Sequence, residues 1–575
     1  MAKNMVEIED LINELKEGRK AYEGVWTSAE KNLKCEIPDQ YSEAGTQGNQ
    51  VSMGTIWYAI MTYTRITLER IFKSKQIYDL TPIGSEDVDF TQRLEKYFNW
   101  KVKRIKSLRW QLIQCAMNNA TYGNGITKFN EKPLEVLNVP RRQIWFNDAC
   151  DWSRINVFYH EIELSEAELR GREIYKNKEE YIDQVKGKRI DKASSPAEKE
   201  KLAIKLNHKF KIGELWYIGK YVNNKAIWTV MTIGLSDEGV PAVLFREKEK
   251  PVTYGQPFDI TCDFQTLNSL NGRGSAQVLQ DIEYALNMTV NLNLNYLQMM
   301  MRPPFLYTDD LLHETTADLD RLVYRELGGG IPVNSLDAVK YLDPPRIDPS
   351  HFQTTGFLMN EAHEKVGLPK LLSGGAGESR EPFRTTSGRW EKASGMMDYK
   401  NDNFFEQLLK PIGHKILMCI FADPPINEIM RIMGKEGQEL FQVTSGEENQ
   451  YIPPRPVNPN QPPSQENPMQ ISQLVIKKSA LEDITELYDI EINPYTGQDF
   501  LLIDSLLKNL PQFFAMAPEV RTKIKIQKLL MKLLEPLGVE AKDILNTPQE
   551  ELQEMTKLQQ MAQTQQPQQQ GQERM

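Results

Sequence analysis

One stretch, 272-GRGSAQVLQDIEYALNMTVNLNLNYLQMMMRPP-304, constrains this chain more than any other. After Gly272-Arg273-Gly274 a helix is expected to begin, with Ser275 as a good N-cap. Apolar residues then recur at 279, 282, 286, 290, 294, 297 and 301, until Pro303-Pro304 forbids continuation. Gaps of three and four put those side chains on one helical side, and 275–300 predicts a rod of about 39 Å at ~1.5 Å per residue. Such a rod needs a partner along its apolar side. Downstream, 349–366 predicts a second helix, ended by Gly367 and Pro369. The residues between read as a compact insert: strand-like pieces at 304–307, 331–333 and 338–342, a charged helix near 309–326, and a turn at Gly328–Gly330.

The flanking regions read differently. Residues 5–34 and 54–72 are helical, and one long helix is expected over 86–120, carrying the basic run Lys101, Lys103, Arg104, Lys106 and Arg109. Short strands follow at 125–129, 134–139 and 143–146, then a charged helical stretch over 163–210. A meander is expected at 214–221, 225–233 and 242–245. A Gly-, Ser- and Arg-rich segment, 371–388, leads into another long helix that includes 390–409. Beyond Pro424 the expectation is mainly helical, with amphipathic helices within 471–489 and 498–546, a Pro-rich linker and a Gln-rich tail. The fold class is α+β, predominantly α-helical.

At 575 residues the chain exceeds one compact core. Asp and Glu outnumber Lys and Arg, 79 to 69, so the surface does not suit a sequence-reading DNA binder, which gains affinity by neutralising phosphates. Five widely spaced cysteines, with no CxxC pair, argue against a disulfide framework or a zinc ribbon and for a reducing compartment. No apolar run nears the ~20 residues that span a bilayer, and the acidic N-terminus does not resemble a secretion signal.

Catalytic motifs fail one by one. Gly123-Asn124-Gly125 and Gly328–Gly330 do not match GxxxxGK[ST] and read as turns. From His363 the sequence is HEKVG, not HExxH, so His363 and His351 read as exposed or interfacial helix residues; GxSxG is absent. The expectation is no enzyme, no cofactor and no metal. The basic run at 101–109 reads as a solvated or ion-paired helix face before it reads as a phosphate contact. The cations of 370–389 sit on a Gly-rich loop between two rigid helices, a suitable contact element.

The order of these elements resembles the portal proteins, or head-to-tail connectors, of tailed bacteriophages, the short-tailed ones above all. In that family a long helix with a central Leu-Asn leads to a small clip, a second helix and a tunnel loop. YGQPFDITCDFQTLNSLNGRGSAQVLQDIEYALNMTVNLNLNYLQMMMRPPFLYTDD is similar to the first part, and ELGGGIPVNSLDAVKYLDPPRI to the end of the clip. HFQTTGFLMNEAHEKVGLPKLLSGG is similar to the second stem helix running into the loop, and RTTSGRWEKASG to the start of the next long helix. The likeness covers most of 50–420 and rests on element order, not on an invariant motif.

The resemblance implies an α/β wing (1–274), a first stem helix (275–301), a clip (302–347) and a second stem helix (348–367). A tunnel loop (368–389) and a connecting helix (390–424) follow. A helical crown (425–548) with a Pro-rich linker at 453–468, and a Gln-rich tail (549–575), complete the chain. It implies a homo-oligomeric ring, usually of about twelve copies, at one capsid vertex of the virion, made in the host cytoplasm. Partners would be double-stranded DNA in transit without sequence preference, the large terminase, a tail adaptor or head-completion protein, and the major capsid and scaffolding proteins; no membrane is involved. Lys370, Arg380, Arg384 and Arg389 would meet DNA; Asp281, Asn287, Asn291 and Asn295 would line the channel; Asp309, Asp310, Arg321 and Arg325 would form the clip's docking surface. The rival expectations are another phage structural or scaffolding component, or a multidomain nuclease or hydrolase.

Overall fold

The computed structural model describes residues 2–36, 51–74, 76–83, 88–131, 133–147, 154–191, 209–222, 225–249, 255–301, 305–308, 330–333, 340–341, 350–367, 395–426, 428–434, 437–453, 471–478 and 487–492. The chain divides into two compact units, one of residues 1–68 and 103–419, the other of 69–102 and 420–575. The expected wing of 1–274 is therefore not one contiguous body.

The first unit is built on a five-stranded antiparallel meander in chain order: Ile144–Phe146, Val157–Ser165, Lys209–Val222, Lys225–Leu235 and Pro241–Glu249. Side chains alternate across it, as the period of two requires. Phe158, Trp216, Trp228 and Val230 pack against Phe258, Ile260 and Ile126. The last three belong to a three-stranded sheet of Asn124–Asn130, Glu135–Asn138 and Phe258–Cys262. Tyr159, Leu215, Met231 and Ile233 point the other way, onto Ile8, Ile12 and Leu15 of the Ala2–Leu33 helix. The meander is longer than the sequence reading had it. The 163–210 stretch is helical only at Glu166–Gly171 and Lys178–Asp191 among the described residues, and it opens with strand Val157–Ser165.

The expected 86–120 helix is two helices, Val88–Arg104 and Leu108–Tyr122. Ser107, between them, adopts a left-handed conformation, φ 59°, which a continuous α-helix cannot contain. Both glycine pairs find their purpose nearby. Gly123 has φ 89°, and a Cβ there would lie 2.1 Å from the Gly272 carbonyl oxygen; one on Gly274 would lie 2.6 Å from that of Ala120. Two backbones meet where no side chain fits, and that contact leads directly into the long helix.

In the second unit, strand Tyr78–Pro82 pairs antiparallel with Tyr488–Ile492. Asn99 fixes the first of these, accepting from the Ile77 N–H at 2.9 Å and donating to the Tyr78 carbonyl at 2.7 Å. A four-stranded sheet holds Glu428–Gly434, Gly437–Gly446, Ile471–Lys477 and Gln450–Ile452. The helical crown expected from 425 onward is thus corrected over its described residues, which are strands almost throughout. The reason is legible afterwards: ISQLVIK buries Ser472, Leu474 and Ile476 at every second position, a strand's period rather than a helix's. Residues 498–548 and the Gln-rich tail lie outside the described residues.

Candidate functional site: the long helix and its foundation

The long helix spans Ser275–Met301, as its apolar spacing predicts, and packs beside a second helix, Ser350–Lys365. Between them Phe305–Thr308 pairs parallel with Gly330–Val333 and antiparallel with Lys340–Tyr341, a small sheet of its own. The second helix ends at Gly367, φ 72°, where an added Cβ would lie 2.6 Å from the Cβ of Met396. The next described residues, from 395 to Ala422, are helical, through a π-helical turn at Phe405–Leu409. Pro411 follows that turn; it has no N–H and would crowd a regular α-helical carbonyl, so the wider turn accommodates it.

The start of the long helix is anchored by charge. Ser275 is one residue inside the helix, not its cap: the Gly274 carbonyl accepts from Gln277 and Val278. The anion at this helix end comes from elsewhere in the fold. Asp263 Oδ2 accepts from the Ser275 N–H at 2.7 Å and from its hydroxyl at 2.6 Å. Lys400 Nζ lies 2.9 Å from Asp263 Oδ1, donates to Ser275 Oγ at 2.6 Å, and sits 4.2 Å from the Tyr63 ring centroid. The Lys400 and Asp263 side chains are 1% and 0% exposed, so the ion pair is fully dry. A second buried pair, Lys415 Nζ to Asp259 Oδ1 at 2.7 Å, joins the same helix to the same strand region. Burial pushes the Asp259 carboxyl above its usual range against the pull of Lys415.

Further along, the helix carries a polar ladder. Glu283 accepts from the N–H groups of Gly54 and Thr55 at 3.1 and 3.0 Å, capping the Thr55–Phe72 helix. Asn287 accepts from Met53 N–H at 2.8 Å. Asn291 accepts from the Val51 N–H at 2.8 Å and donates to its carbonyl at 2.9 Å. Four-residue spacing stacks these side chains on one face, where they satisfy an extended backbone as a neighbouring strand would.

This corrects two of the channel-lining expectations. Asn287 and Asn291 are buried against 51–53 of their own chain and cannot face a channel. Asn295 is half-buried, and Asp281 alone of the four is exposed. The outward face instead holds Tyr284, Met288 and Leu292, with Leu292 52% exposed; Leu297 and Met300, exposed near the far end of the helix, lie on the same side as buried Leu279, Ile282 and Leu286. The sequence carried a signal for this, since 284, 288 and 292 are apolar or aromatic and spaced by four, which stacks neighbouring side chains on a second face: a helix apolar on two sides needs two partners. Lys370, Arg380, Arg384 and Arg389, and Asp309, Asp310, Arg321 and Arg325, lie outside the described residues.

Elsewhere in the unit, a buried cluster joins the two sheets of the sandwich. Lys128 contacts Glu214, which also accepts from Trp216 Nε1 at 3.2 Å, while His160 Nδ1 lies 3.9 Å from the same carboxylate. Burial alone would raise Glu214; Lys128 and His160 override it and hold the carboxyl well below its usual range. Among the described residues no group of three or more His, Cys, Asp or Glu is placed to hold a metal ion, and no helix is long and apolar enough to cross a membrane.

No family model matches this sequence, and no curated protein does. Among solved structures the chain is similar to one in the "Neck of empty GTA particle computed with C6 symmetry", at 10% identity and a TM-score of 0.28, over 67% of this chain and 80% of that one. So loose a superposition assigns no role to this chain.

Proposed function

We propose that this chain is a portal subunit of a tailed bacteriophage: a non-enzymatic protein that closes into a ring around a path for double-stranded DNA. The observation that carries the reading is the two-faced long helix, Ser275–Met301. One side is bolted into its own subunit by the Asp263–Lys400 pair and the Glu283–Asn287–Asn291 ladder; the other presents an apolar stripe to water. A rigid rod with one apolar side uncovered suits a neighbouring subunit. A head-to-tail contact that closes by rotation makes a ring.

The second helix and the small sheet between the rods support the same reading, because they match the stem-clip-stem order that the sequence resembles. In this reading the clip docks the terminase and later the tail adaptor, the ring sits at one capsid vertex, and an acidic chain keeps DNA from adhering to the bore. Native mass spectrometry tests it. Twelve copies of 66.3 kDa give a ring of about 796 kDa, visible as an annulus in negative stain. A chain that stays monomeric or dimeric across concentrations would remove the reading.

A further inference from the structure

Residues 96–130 hold seven Lys and Arg and no Asp or Glu, in a chain whose formal charge is −10. The nearest carboxylates in sequence are Glu95 and Glu131. The middle of this stretch is the corner between the Val88–Arg104 and Leu108–Tyr122 helices, turned by the left-handed Ser107. Ile105 and Leu108 are buried and hold the corner down. Lys103, Arg104, Lys106, Arg109 and Trp110 stand exposed around them, Trp110 by 59%. From 103 to 109 even a fully extended backbone spans only about 20 Å, so the four cations spring from one short stretch of surface. The patch belongs to the α/β sandwich: Gln111, one residue on, accepts from the Asn138 N–H of strand Glu135–Asn138 at 2.8 Å.

A dense cationic patch on an acidic protein fits a polyanion. Duplex DNA presents one charge per ~1.7 Å of axis, so a patch of this size meets several phosphates at once. A single strand is held differently, along a groove in which successive bases stack on aromatic faces. This corner is a short turn with exposed cations and one aromatic side chain, Trp110, which gives successive bases no run of stacking faces, so it suits the backbone of a duplex. We propose that the Lys103–Trp110 corner is a docking surface for the phosphate backbone of double-stranded DNA, separate from any channel contact. Contacts of this kind fix position without reading sequence. The inference does not depend on the ring: it concerns the surface of one subunit.

A covalently closed circular plasmid is the probe, because it cannot thread a ring that is already closed. Full-length protein is titrated with it between about 50 and 200 mM salt, where phosphate-neutralising proteins lose affinity steeply. The unmodified chain is expected to bind with a steep salt dependence. The variant K103A/R104A/K106A/R109A is expected to bind at least about tenfold more weakly, its log–log salt slope falling by about 0.9 for each contact removed. Replacing Lys103 and Lys106 by Arg is expected to keep both affinity and slope. Should the quadruple variant fold poorly, Lys106→Glu alone is expected to weaken binding about threefold or more, since it reverses one exposed charge.

Plasmid binding unchanged in affinity and slope by these substitutions overturns the proposal, as does an unmodified chain with no salt-sensitive plasmid binding. A preference for single-stranded circles that Trp110→Ala abolishes would overturn the duplex assignment. Subunit number is read separately by mass. A chain that forms no ring yet binds plasmid through the corner removes the ring reading and leaves this one standing.

Discussion

In the α/β sandwich, Phe158, Trp216, Trp228 and Phe258 fill the space between two sheets, with Phe158 and Phe258 centroids 4.9 Å apart. At the foot of the long helix the same task falls to Lys400, Asp263 and Ser275, in contacts of 2.6–2.9 Å. Apolar packing is non-directional and yields to substitutions of similar volume. A dry ion pair works only in one geometry, because both charges lose their hydration and recover it only from each other and from the few groups aimed at them, here Ser275 and the Tyr63 ring. The sandwich therefore supplies bulk stability, whereas the foundation fixes where a rod of about 40 Å points. A small tilt at its base would displace its far end by much more.

The sharpest test of this difference is Lys400→Met. It leaves Asp263 buried without its cation and is expected to cost about 3–5 kcal/mol in denaturant unfolding. Phe158→Leu in the sandwich is expected to cost less than about 1.5 kcal/mol. Equal losses at the two sites would erase the contrast. Replacing Lys400 and Asp263 together by apolar residues of similar size is expected to recover much of the loss, which separates a stranded charge from a cavity.

Next in size is the polar ladder. Glu283→Ala strands the N–H groups of Gly54 and Thr55 and is expected to cost about 1–3 kcal/mol. Hydrogen exchange at 54 and 55 is expected to rise, and unchanged protection there would show that Glu283 holds nothing.

The sandwich has its own charged weak point, and pH reads it. Burial holds the His160 pKa below 6.5, with Lys128 pushing the same way and Glu214 opposing. As pH falls below about 6.5 the unfolded chain takes up the proton first, so stability declines with acid through the folded-state value. The depressed Glu214 adds stability present above 4.5 that is lost at still lower pH. His160→Gln is expected to flatten the first part of that decline. A stability profile of unchanged shape over that interval would exclude His160 as its source.

The smallest effect on stability falls on the outward face. Leu292→Glu is expected to leave the subunit's unfolding free energy within about 0.5 kcal/mol, because the residue is exposed. The same change is expected to abolish ring assembly in native mass spectrometry. Rings that form normally with Leu292→Glu would place the subunit contact elsewhere.

The rods were legible early. Apolar spacing and the proline stop set the limits of 275–301, and Gly367 set the end of its partner, because helix periodicity and chain breakers are local properties. The meander could be read for the same reason. The strands beyond 428 were missed: short amphipathic segments satisfy a strand and a helix nearly equally, and sheet neighbours far along the chain decide between them. Tyr488–Ile492 takes its form beside Tyr78–Pro82, some four hundred residues earlier.

The sequence by itself determined the rods, their order around a small insert, and the acid-free cationic stretch at 96–130, since each follows from composition and local geometry. Only the tertiary structure decided that the polar side of the long helix is inside as well as the apolar side of Leu279, Ile282 and Leu286. Read alone, the asparagines at 287 and 291 belong to water and the leucines to a core. Folding buries Asn287 and Asn291 because the backbone of 51–53 offers them hydrogen bonds that replace those of water, and leaves Met288 and Leu292 outside. A polar side chain follows its partners, and those partners lie more than two hundred residues away in sequence.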